Sequence, residues 1–268
     1  MTRVPAASSI ASASSLTVPP RGHRRPELLR GLVADAPMLT RWTAEHLAEL
    51  AGDRQVEVVI GERESSTARY VTTSLATVFR RQLGGAEGEP MYLKEFDLLG
   101  ALPGLVADAQ LSRVERPGHR SIHHAWISDR GARTGYHYDL LDNVLTQVRG
   151  RKRATLVSPA LSRAMYRSDK FDFYARVSQV DGFSPDLERF PRFAEAQAAE
   201  ITFQLTPGDA LYIPRGWWHR VESLTPSISL AGFMISRWDR IRLTPERVLQ
   251  RCHRLRLYKA GHCSCHRV

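Results

Sequence analysis

Apolar positions recur at helical spacing near the start of the chain and at strand spacing over most of the rest. From Pro26 to Gly52, Leu28, Leu29, Leu32 and Val33 fall on one helical face, and Trp42, Leu47 and Leu50 continue the pattern. This predicts one or two short helices. Val56–Ile60 reads as a strand, Ala76–Leu83 as a helix with Leu75, Val78 and Phe79 inward, and Tyr92–Leu93 as a short strand. Strand patterning then dominates from Ile122 to Ile235, broken by a long connection at about 160–200. There Phe171, Phe173, Tyr174, Phe183 and Phe190 stand among charges. Connections of that length carry function or disorder, and this one is expected to shape a substrate entrance. Ala210–Ile213 is an apolar strand set between two turn signals, Pro207-Gly208-Asp209 and Pro214-Arg215-Gly216. Pro245–Tyr258 is helix-like, with Val248, Leu255 and Leu257 among many arginines.

Length and charge refine this picture. The 268 residues, 43% hydrophobic, suit one domain with appendages. No apolar run reaches the roughly 18 residues of a transmembrane helix, so no membrane is expected. Met1–Pro20 is rich in Ala and Ser, has no sustained apolar stretch, and is expected to be disordered rather than a signal peptide. The formal net charge of +10 is unevenly placed. Residues 1–25 hold four Arg and no acid, and residues 237–268 hold eight Arg and one Lys against one Asp and one Glu, which leaves about −1 for 26–236. The division expected is a disordered basic tail (1–24), a near-neutral folded domain (25–236) and a basic helical or flexible tail (237–268). The tails offer long-range attraction to RNA; solubility is the plainer reading. The three Cys all follow residue 251, so no disulfide framework supports the domain, and a reducing, cytoplasmic setting is expected. His262, Cys263, Cys265 and His266, with Cys252 and His253, hint at metal binding, but Cys-x-Cys is tighter than the usual zinc spacing.

The chemistry concentrates in Thr134–Pro159 and Thr206–Leu224. In Tyr136-His137-Tyr138-Asp139, strand alternation sends His137 and Asp139 to one side and the tyrosines to the other. A distant His219, delivered by the turn–strand–turn at 207–216, completes two His and one carboxylate. That set forms the facial triad of non-haem Fe(II) oxygenases, which keeps one face of the metal open. His-x-Asp alone is weak; the surrounding pattern gives it weight. Thr134 stands three residues before His137, Asn143 six after it and Lys152 fifteen after it, within a Gly-x-Lys-x-x-x-Leu-x-x-Pro stretch ending at Pro159.

These motifs resemble the JmjC-like cupin hydroxylases, a group that includes an asparaginyl hydroxylase and a tRNA wybutosine hydroxylase. Met91–Lys94, Trp126-Ile127, the helical segment Leu98–Leu111, and Leu29–Ala34 with Pro37 and Trp42 resemble further family segments, so the likeness spans about residues 25–236. It implies a mainly β fold, a double-stranded β-helix (cupin/jelly-roll) with N-terminal helices packed outside and a short C-terminal helical tail. It implies Fe(II) held by His137, Asp139 and His219, with 2-oxoglutarate as cosubstrate and O2 as oxidant. Lys152 would meet the far carboxylate of 2-oxoglutarate as a point charge, Thr134 and Tyr92 would donate hydroxyls, and Asn143 would line the same pocket. Relatives carry Asn in Ser-Ile-x-Val-Asn-Phe; this chain reads Ser227-Ile228-Ser229-Leu230-Ala231-Gly232-Phe233 and lacks it.

The expected reaction couples decarboxylation of 2-oxoglutarate to hydroxylation of an unactivated C–H, on a protein or peptide side chain. Alternatives are the same chemistry on RNA or a small metabolite, and a metal-binding cupin without oxygenase activity. Methyl-lysine demethylation is disfavoured by His-x-Asp in place of His-x-Glu. At least one of Trp217 and Trp218 is expected to be structural. Relatives that dimerise through C-terminal helices make a homodimer through Pro245–Tyr258 a further expectation.

Overall fold

The computed structural model describes residues 17–61, 69–83 and 88–263. Most of the tail expected to be disordered, residues 1–16, and Cys265 and His266 of the cysteine–histidine cluster lie outside them. Thirteen strands form two antiparallel sheets. In chain order they are β1 (Glu27–Leu29), β2 (Gln55–Ile60), β3 (Arg69–Ser74), β4 (Met91–Phe96), β5 (Arg120–Ser128), β6 (Arg133–Asp139) and β7 (Asp142–Arg149). They continue with β8 (Lys152–Val157), β9 (Ala175–Val177), β10 (Ile201–Leu205), β11 (Ala210–Ile213), β12 (Trp218–Ser223) and β13 (Ser227–Ile235). The major sheet runs β1-β11-β7-β13-β5-β4-β2-β3 and the minor sheet β10-β8-β12-β6-β9. The helices are α1 (Met38–Arg41), α2 (Ala44–Ala51), α3 (Leu75–Arg80), α4 (Leu98–Ala101), α5 (Val106–Ala109), α6 (Phe193–Ala198), α7 (Arg237–Arg242) and α8 (Thr244–Arg254). No helix among the described residues is long and apolar enough to cross a membrane.

The layers follow from burial on each face. α1, α2 and α3 cover the outer face of the major sheet, where Trp42, Leu47 and Phe79 meet Val144, Val148, Ile228 and Leu230. Between the sheets, Leu145, Leu156, Leu211 and Ile213 fill the closed end of the barrel. Outside the minor sheet, Tyr136, Val157 and Trp218 pack against Met165, Phe190 and Phe193 of the 160–200 connection. β7 therefore has both faces covered and is buried from Asp142 to Val148, as expected of a central strand between two layers.

The N-terminal reading needs one correction. Leu28 and Leu29 lie in β1, which pairs with β11, and not in a helix. Their spacing fits a helix, but the open edge of β11 offers them a ladder, and pairing overrides local periodicity. β3 and β9 carried no clear pattern: β3 is exposed or half-buried throughout, and β9 has three residues. The 160–200 connection is ordered, with β9 and α6 within it.

The chain crosses from the major to the minor sheet between β7 and β8 through Gly150 and Arg151. Gly150 has φ 70°, and a Cβ there would sit 2.0 Å from the Pro226 carbonyl oxygen. Both conformation and space demand glycine. This crossover fixes the start of β8, where Arg151 and Arg153 are exposed and Lys152 between them is buried. Gly150→Ala should destabilise the protein by about 2–4 kcal/mol from strain plus overpacking. Urea denaturation checks this, and a midpoint equal to wild type would mean the crossover relaxes freely.

Candidate metal centre

His137 and His219 are direct cross-strand partners in the β6–β12 ladder, with ring centroids 4.1 Å apart. Asp139 lies two residues along β6 on the same face, and its Oδ2 is 3.7 Å from His219 Nε2. One ligand atom from each of the three lies within 4.8 Å of the others. Each imidazole is oriented from behind: Nδ1 of His137 is 3.0 Å from the Gly135 carbonyl, and Nδ1 of His219 is 3.0 Å from the Trp217 carbonyl. A proton on Nδ1 satisfies both carbonyls and leaves Nε2 as the ligand nitrogen. Asn143 Nδ2 donates to Asp139 Oδ2 at 3.4 Å. The tyrosines on either side of His137 point outward, Tyr136 against Phe193 and Tyr138 against Trp218. Both tryptophans are structural: Trp218 Nε1 donates to Ser162 Oγ and Trp217 Nε1 to the Arg24 carbonyl.

Burial pushes the Asp139 carboxyl up to about 6, against the pull of His219. Burial, with repulsion from His137, pushes His219 down to about 4. Two imidazoles and a carboxylate crowd together here, with Asp139 and His219 buried and His137 half-buried. A divalent ion satisfies that set, since it needs neutral imidazole and ionised carboxylate at close quarters.

The three residues open onto a cavity of about 450 Å³ that Lys152, Thr134, Tyr92 and Asn143 also line. Lys152 is 1% exposed. Among the described residues its ammonium meets no carboxylate and lies 5.9 Å from the centre of the Tyr92 ring. Burial alone brings it down to about 7. Tyr92 and Thr134 share a hydroxyl–hydroxyl bond of 3.1 Å beside it. Ala231 lines the cavity at the position where relatives carry Asn.

The sequence did not single out His124, Phe233 or Glu95, which also line the cavity. His124, Trp126 and Phe233 form an aromatic wall with centroids 6.2–6.3 Å apart. Their i, i+2 spacing on β5 was a usable signal. Glu95 reaches the cavity from a register shift in β4, where it holds φ 51°; nothing local announces that bulge. Asp172, Phe173, Asp181 and Phe183 come from the 160–200 connection, which walls the cavity as expected of it. Its strand β9 pairs directly with β6, Val177 opposite His137 and Ala175 opposite Asp139. Among the described residues, which leave out Cys265 and His266, His137, Asp139 and His219 are the one group placed to hold a metal.

Residues 21–238 match the family model of the cupin-like domain. The chain belongs to the JmjC-like cupin family. This cupin-like chain is 31% identical over 77% of its length to Jumonji C domain-containing protein 5 of Drosophila melanogaster, covering 54% of that protein. It is 30% identical over 78% of its length to lysine-specific demethylase 8 of Xenopus tropicalis, covering 47% of that protein. Against tRNA wybutosine-synthesizing protein 5 of Danio rerio it is 31% identical over 78%, covering 68%. The chain thus spans about half the length of the first two relatives.

A buried ammonium without a counter-ion costs stability in the empty protein. Lys152→Met should therefore raise the melting temperature of the metal-free, ligand-free protein. A calorimetric scan showing the variant less stable would mean that Lys152 contributes to the fold.

Proposed function

We propose that this cupin-like chain is an Fe(II)- and 2-oxoglutarate-dependent dioxygenase that hydroxylates a side chain of a protein or peptide. One observation carries the reading: a His-Asp-His set and a buried, uncompensated lysine ammonium face the same cavity. In this reading His137, Asp139 and His219 hold the metal, which when bound supplies oxygen activation and a seat for the 2-oxo acid. Lys152 meets the distal carboxylate, with Thr134 and Tyr92 donating to it. The Asn143 amide steadies Asp139, and its Oδ1, buried and unpartnered, can accept a hydrogen bond from a bound group. The aromatic wall excludes water and leaves room for a side chain once the cosubstrate fills the Lys152 end.

A protein substrate suits the cavity better than a polyanion, because Glu95, Asp172 and Asp181 line it with Lys94 and Arg133, and Arg133 already faces Glu222 at 3.7 Å. A reducing, cytoplasmic setting fits a ferrous enzyme.

Anaerobic addition of Fe(II) and then 2-oxoglutarate should produce a visible metal-to-ligand charge-transfer band in wild type and none in His137→Ala. Metal binding without a band would leave a non-oxygenase cupin. Because the Lys152 ammonium is the required form and burial brings it to about 7, affinity for 2-oxoglutarate should fall as pH rises above 7. The expected slope is up to about tenfold per unit, continuing until the higher value of the carboxylate-bound lysine is reached. A flat profile from pH 7 to 9 would place the carboxylate elsewhere.

A further inference from the structure

The cavity wall is held from behind by the segment that follows the barrel. Arg176 in β9 donates to both carboxylate oxygens of Glu246 in α8, at 3.4 and 2.6 Å, and Glu246 is buried. In register, Arg176 lies opposite Tyr138, between the partners of His137 and Asp139. Alternation turns Ala175 and Val177 to the cavity and Arg176 away from it, towards α8.

A second set of contacts reaches the same wall. The Phe171 N–H donates to the His262 carbonyl at 3.1 Å, and Phe171 bridges to Cys263. The Phe171 ring stacks 4.4 Å from His253, and Arg254 lies 5.4 Å over Phe173. Lys259 donates to the Asp169 carbonyl, and His262 Nε2 is 2.9 Å from Asp169 Oδ1. Tyr166 (φ 44°), just before the held stretch, and Tyr174 (φ 54°), within it, both lie in the left-handed region. Bulky residues avoid that region, and they stay in it only where their surroundings over-determine it.

We propose that residues 244–263 are a strap that positions the wall 169–183, with Glu246 as the positioning residue, and that the strap decides how the metal site is enclosed. The consequence for turnover rests on the dioxygenase reading; the positioning does not. β9 is a three-residue strand laddered to β6, and its other edge meets only the short stretch 166–168, through a single bridge and the backbone bond from Ser168 N–H to the Val177 carbonyl. So short a strand is marginal by itself, and the strap supplies what the barrel does not.

The test compares wild type, Glu246→Gln and Glu246→Asp in the full chain. In Glu246→Gln, amide exchange over 169–183 should quicken at least tenfold and alkylation of buried Cys263 by iodoacetamide should quicken with it, while β7 and β13 exchange as in wild type. The KM for 2-oxoglutarate should stay within twofold, because Lys152, Thr134 and Tyr92 lie outside the strap. The kcat of substrate-free 2-oxoglutarate decay should change at least threefold, and Glu246→Asp should restore it in part. Unchanged exchange over 169–183, or acceleration spread evenly through the barrel, overturns the strap. An unchanged kcat beside a loosened wall overturns its role in enclosure. A wild type that gives no charge-transfer band defeats the dioxygenase reading alone, and the exchange and alkylation data still decide the strap.

Discussion

The antiparallel ladder between β6 and β12 is the constraint on which the rest depends. It sets His137 opposite His219, and the two-residue period of β6 then brings Asp139 to the same point. A slip of one residue would exchange the ligands for Tyr136 and Tyr138 and turn the metal set outward. The packing on the far side guards against that slip. Tyr136 and Trp218 are almost fully buried in the cluster beneath the 160–200 connection, so a one-residue slip of β6 would pull Tyr136 out of that cluster and turn His137 and Asp139 into it. The apolar layer outside the minor sheet thus specifies the polar site inside it.

Lys152 shows the opposite relation between fold and function. Its position follows from the Gly150 crossover and strand alternation, yet its charge is a burden to the unliganded fold. The hydroxyl pair of Tyr92 and Thr134 stands beside it, and neither hydroxyl can neutralise an ammonium. A buried cation kept without a partner is difficult to explain by packing, which is the ground on which we propose a carboxylate ligand for it.

Much of this was legible in the residues, for reasons that differ by element. The seven candidate site residues meet in one cavity because their spacings are strand spacings, and strand geometry converts sequence offset into facing with little freedom. The strands of the barrel core were readable where one face is apolar. What stayed hidden depends on partners distant in sequence. Leu28 and Leu29 become β1 only because β11 has an open edge. Glu95 reaches the cavity through a bulge with no local signature. Ala175-Arg176-Val177 has no strand pattern of its own and pairs because β6 lies beside it. The ion pair of Arg176 with Glu246 links residues 70 apart, a distance at which one arginine among many carries no marker.

The insert and the C-terminal helix therefore form a matched pair although the barrel strands β10 to β13 separate them in the chain. Recombination between relatives that exchanged the insert alone would leave Glu246 facing a foreign residue, and one that exchanged the tail alone would strand Arg176 behind the metal strand. A graft intended to move the cavity wall from one such scaffold to another has to carry both segments, and can leave β6 and β12 untouched.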